Sequence, residues 1–210
     1  MHQHNSFPKA SDISLAMCRD FATKVLLATR FHYFFSDGSE LVVEFRSWAI
    51  FHLLSMQHIG VRDLHKENFL DKIQSGFDFE EIKKNKSTRK KYAGEKDRIV
   101  AFVYLYRALR NCEVVYFETQ KISEASKVRF DYIFFHELDG QGINVGTRLA
   151  DGVQLPLSIL ISKKSNVGRY IENGEKKDVQ QIEISDIATK EMIEVVKIPK
   201  EKETVADKTD

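Results

Sequence analysis

Near Cys112 the spacing of the apolar residues changes, and that change constrains the chain more than any motif in it. Ahead of it, apolar side chains recur three and four residues apart, the spacing of one helix face. Leu15, Cys18, Phe21, Ala22, Val25 and Leu26 do so after Ser11 and Asp12, and Ile99, Phe102, Val103, Tyr106 and Leu109 do so in DRIVAFVYLYRALRNC. Beyond it, EVVYFE, RFDYIFFHEL, GINVGTRL, PLSILIS and VQQIEIS are short, β-prone and divided by turns rich in Gly, Asn, Asp and Lys. Helices in front and strands behind predict an α+β fold, with N-terminal helices packed on a small, mainly antiparallel C-terminal β-sheet.

The front half carries further signals. A first helix is expected over 11–28, capped by Ser11 or Asp12. RFHYFF and ELVVEF, joined through Ser36, Asp37 and Gly38, predict a hairpin. EFRSWAIFHLLSMQHIG, residues 44–60, then predicts a buried helix ended by Gly60. HKENFLDKIQSG and DFEEIKK read as two short amphipathic helices, and Asp97 as the cap of the helix after them.

With 210 residues and 42% hydrophobic content the chain fills one domain, expected over 10–198, with a disordered start at 1–9 and a polar, disordered tail at 199–210. Lys and Arg total 32 against 31 for Asp and Glu, so the net charge of +1 supplies no overall pull toward nucleic acid. Such a partner must be met by a local patch. Two cysteines far apart, Cys18 and Cys112, predict free thiols in a reducing cytoplasm. No apolar run approaches the roughly 20 residues of a membrane span, and the start lacks a signal-peptide pattern, so a cytoplasmic protein without a membrane partner is expected.

Metal, nucleotide and nucleophile motifs are missing from the sequence, and no cofactor is expected. His52, His58 and His65 are six and seven residues apart, and on one straight helix the first two point about 120° from each other. There is no GxxxxGK[ST] loop and no GxSxG elbow, and Gly140 to Gly146 reads as a hairpin or bulge. What remains is acid, base and cation chemistry. Burial of His52 among Trp48, Ala49, Phe51, Leu53 and Met56 would hold it neutral, as a general base requires; the same burial equally describes a core histidine bonded to a carbonyl. Arg98, Arg148 and Ser158 stand at the edges of apolar elements, where each could face a phosphate or simply the solvent. Lys83, Lys84, Lys86, Arg89, Lys90 and Lys91, six cations in nine residues, must form a loop or a solvated helix face. With Lys163 and Lys164 they are the candidate nucleic-acid contacts.

The order of these features resembles the phage-associated barnase/EndoU/colicin/RelE-like nuclease family (the PBECR type, fourth family). The residues that carry the resemblance are a hairpin feeding Phe45, Phe51, His52, Leu53 and Leu54, then Arg98, Ile99 and Phe102, then GINVGTR and the strand with Pro156 and Ser158, within 28–184. Ser55 departs from the pattern, standing where the family tends to have glycine. The resemblance implies metal-independent RNA cleavage of phage or toxin type, with His52 as acid or base, Arg98 and Arg148 stabilising charge and Ser158 orienting a phosphate oxygen. RNA is the implied substrate, and a cognate antitoxin or other phage or host protein an implied partner. Left open beside it is a non-catalytic RNA- or protein-binding module, a regulator, antitoxin or immunity partner. The second acid or base is unassigned, with His136 beside Glu137 one possibility.

Overall fold

A computed structural model describes residues 8–117 and 130–199. Of the expected disordered ends, 1–9 and 199–210, residues 1–7 and 200–210 lie outside the described residues. Helix α1 spans Leu15–Lys24. Its cap is Ser14, whose Oγ accepts the Met17 N–H at 3.1 Å, while Ser11 and Asp12 lie in a 3-10 turn before it. The Asp78 carboxylate accepts the Leu15 N–H at 2.9 Å and the Phe79 N–H at 2.7 Å, joining the start of α1 to a later helix. Strands β1 (Thr29–Phe35) and β2 (Glu40–Glu44) form the expected hairpin.

Among the described residues, six helices and the remaining strands follow. The helices are α2 (Ser47–Leu53), α3 (Met56–Ile59), α4 (Phe69–Gln74), α5 (Phe79–Lys84), α6 (Lys86–Phe102) and α7 (Leu105–Arg110). Then come β3 (Glu113–Tyr116), β4 (Tyr132–Leu138), β5 (Gln141–Ala150), β6 (Val153–Ser162), β7 (Glu175–Lys177), β8 (Val179–Asp186) and β9 (Met192–Lys197). The basic segment is helical and exposed. Asn85 Oδ1 accepts the Ser87 N–H at 2.8 Å and starts α6 at Lys86, well before Asp97.

The sheet corrects the sequence-based fold class. It is neither small nor confined to the C-terminal half: nine strands run in the order β7-β3-β4-β5-β6-β2-β1-β8-β9 and curl into a half-barrel of a mixed α/β protein. The reason lies in the hairpin. Strand β1 buries every second residue, and two strands alone cannot cover such a face. It is therefore built into the middle of the sheet, with β8 antiparallel on one side and β6 parallel to β2 on the other. The β2–β6 seam is narrow, with Val43 and Gln154 its one registered pair.

The curl brings distant strands together over the core. Tyr33 of β1 meets Phe134 of β4 with ring centroids 5.0 Å apart, and its hydroxyl donates to the Leu109 carbonyl of α7 at 2.7 Å. Leucine, isoleucine and phenylalanine side chains of α1 to α7 fill the same face. On the other face a smaller cluster of Val115, Phe117, Phe130 and Ile133 is covered by Leu160, Tyr170 and Ile171. Strands β7 and β8 are separated by Asp178 alone, although β7 pairs with β3 and β8 with β1.

Candidate functional site

The segment expected as one helix is two. Ser55 takes φ +60°, a left-handed conformation, and its N–H donates to the His52 carbonyl at 2.9 Å, which ends α2. Its hydroxyl is buried without a hydrogen-bond partner among the described residues. The bend overturns the straight-helix geometry that would keep His52 and His58 apart. Burial holds the His52 pKa below 6.5, and the charges of Lys66 and His58 push it the same way, against a smaller pull from Glu67. His52 is thus half-buried, neutral near pH 7, and within electrostatic reach of a second imidazole and an ammonium. Trp48, one turn earlier on α2, meets the His52 ring edge-on at 6.0 Å and carries Lys66 Nζ 5.4 Å from its own ring centre.

Beside this group lies the start of α6. Lys91 Nζ reaches Gly60, so close that a Cβ there would stand 3.3 Å from it. Lys83 pairs with Glu80 at 2.6 Å and Lys84 with Glu81, while Lys86, Arg89, Lys90 and Lys91 have no acidic partner among the described residues. The first turn of α6 holds no acid either. Cations at the positive end of a helix dipole repel it, so this arrangement concentrates positive potential that an anion would relieve.

The other expected site residues do not join His52. Arg98 is ion-paired to Glu95 at 3.3 Å on α6. Ser158 lies opposite Gly146 and alternates with Ile159, a main-core residue, so it shares the sheet face of Leu160 and the smaller cluster, away from the helices. Arg148 stands exposed near the end of β5, and Lys163 and Lys164 stand exposed after β6, where Lys164 lies along Gly140. His136 is bound through Nδ1 to the Asn111 carbonyl at 2.7 Å, with its Nε2 buried and without a partner among the described residues. Burial lowers its pKa and holds it neutral.

A second concave region was not visible in the sequence. A cleft of about 540 Å³ opens where β3 and β5 end and β2, β4 and β6 begin. Tyr116 and Tyr132 wall it with ring centroids 5.2 Å apart, and Leu149, 60% exposed, stands at its rim. Within it His32 Nε2 lies 2.8 Å from Glu40, and Asp131 accepts the Leu149 N–H at 2.6 Å. These residues come from five strands and one loop, and only the long-range pairing unites them.

Among the described residues, no helix is long and apolar enough to cross a membrane, and no group of three or more His, Cys, Asp or Glu is placed to hold a metal ion. Cys18 and Cys112 are buried free thiols, both pushed up to about 12 by burial. No family model, curated protein or solved structure matches the chain, so its function is argued from its own residues.

Proposed function

We propose that the chain binds RNA and cleaves it without a metal, at the surface formed by α2, α3 and the start of α6. The observation that carries this reading is the bend at Ser55, which couples His58 to His52 beside Lys66. Neutral His52 takes the proton of a ribose 2′-hydroxyl, and the freed oxygen attacks the adjacent phosphorus. Lys66 offsets the charge gathering on the phosphorane oxygens. His58 gives a proton to the departing 5′-oxygen, leaving a 2′,3′-cyclic phosphate and a 5′-hydroxyl. The α6 cations hold flanking phosphates and Trp48 offers a face on which a base can stack. Arg98, committed to Glu95, and Ser158, across the sheet, have no part in these steps.

The test is cleavage of a labelled single-stranded RNA in excess EDTA. Cyclic phosphate ends are expected, with at least ~100-fold loss in His52→Ala and in His58→Ala and an unchanged circular dichroism spectrum. Full activity in His52→Ala would overturn the assignment. The α6 cations favour a second reading, RNA binding without cleavage. Salt-sensitive binding that weakens in Lys86→Glu and Lys90→Glu, with no cut in the unmodified protein, would establish it instead.

A further inference from the structure

The cleft at the strand ends shares no residue with the α2–α3 surface, and its chemistry is different. Its walls are apolar or aromatic in large part: Leu41, Val42, Tyr116, Phe117, Tyr132 and Leu149. Among the described residues its ionisable lining is Asp131, Glu40, His32 and the two tyrosines, with no lysine or arginine. Among the described residues an anionic ligand would therefore meet carboxylates and no fixed cation. The Lys177 ammonium sits 5.8 Å from the Tyr116 ring centre and is already neutralised by Glu175 at 2.6 Å and Asp37 at 3.5 Å.

Two polar side chains are left with capacity to bind. Only Oδ2 of Asp131 is engaged, by the Leu149 N–H, and its other oxygen has no partner among the described residues. Gln154 is 5% exposed and lines the cleft; its Oε1 accepts from Thr147 Oγ1 at 2.9 Å, and its Nε2 has no partner among the described residues. Lys177 over Tyr116 shows that the aromatic wall already accepts a cation on its face. A volume of about 540 Å³ falls within the range of small-molecule sites, roughly 300–1,000 Å³.

We propose that this cleft binds a small organic cation, an ammonium or guanidinium group on an apolar or aromatic body. The charged group meets Oδ1 of Asp131, the body lies against Tyr116, Tyr132 and Leu149, and the Gln154 amide takes up a polar substituent. Glu40 adds negative potential from the β2 side.

Three probes of one shape and different charge test this on the full chain: tyramine, the neutral alcohol tyrosol and the anion 4-hydroxyphenylacetate, each titrated by calorimetry. Tyramine is expected to bind saturably and at least ~10-fold more tightly than either analogue. Asp131→Asn, which keeps an oxygen for the Leu149 N–H, is expected to remove most of that preference. Glu40→Gln, at an exposed position, should reduce it less. Equal binding of the three probes, preference for the anion, no saturable binding of tyramine, or an unchanged preference in Asp131→Asn would each overturn the proposal. RNA cleavage is expected to be the same in both variants, so the two sites stand or fall separately.

Discussion

Ser55 accounts for the reach between the two histidines and also weakens the fold. A non-glycine residue held at positive φ costs roughly 1–2 kcal/mol, and a buried unpaired hydroxyl adds to that. Glycine gives back part of the gain through the entropy of the unfolded chain. Ser55→Gly is therefore expected to stabilise the protein by about 1 kcal/mol in urea unfolding, with the α2–α3 bend retained. A shift in the other direction would mean that the hydroxyl has a partner. The His52 pKa gives a second measurement. NMR titration should place it below 6.5, and Lys66→Ala should raise it, because one like charge is removed. In linkage terms, the unfolded state takes this proton first as pH falls. The contribution of His52 to stability is then whole above about pH 6.5 and is lost between there and the lower folded pKa. His52 itself was legible in the sequence as a histidine inside an apolar run. The electrostatic reach of His58 was not, because a serine at the bend gives no sign of a left-handed residue.

Among the elements, those with a clear apolar period were legible and those without one were not. The β1–β2 hairpin and the core of α6 follow from their spacing. The start of α6 does not, because KSTRKKYAGEK offers one buried side chain, Tyr92, and the cap Asn85 lies inside the charged run. Strands β7 and β9 were missed for the same reason: EKK is charged, and β9 is an edge strand with Ile193 and Val195 exposed and a register shift against β8. An irregular edge resists pairing with other chains. Glu44, at the end of β2, shows what fixes the turn into α2. Its carboxylate accepts from Arg30 Nε and from Arg46 Nη1, each at 2.8 Å. Burial pushes the Glu44 pKa up, and the two arginines together more than reverse it, leaving it below the usual carboxylate range. Its stabilising effect is therefore present above about pH 4.5 and is lost as pH falls through the lower folded value. Glu44→Gln is expected to cost about 2 kcal/mol at pH 7 and to flatten the acid limb of the stability profile. Chemical denaturation at pH 7 and pH 4 checks both.

For the molecule as a whole, composition and period gave a helical front and a stranded back but could not give the curl, which depends on which strands become neighbours. Close contacts show how tightly that arrangement is fitted. A Cβ on Gly146 would lie 2.4 Å from the Phe130 ring, so Gly146→Ala is expected to lose about 2 kcal/mol in thermal or urea unfolding. Loss of less than ~0.5 kcal/mol would mean that Phe130 can move aside. The single-residue link at Asp178 has a further consequence for how the protein is made. Chain leaving the ribosome supplies β1 to β6 first, yet β3 and β1 gain their outer neighbours from one continuous stretch, 175–186. Until that stretch emerges, a nascent sheet has two unpaired borders at once, and both are sealed by the same late event.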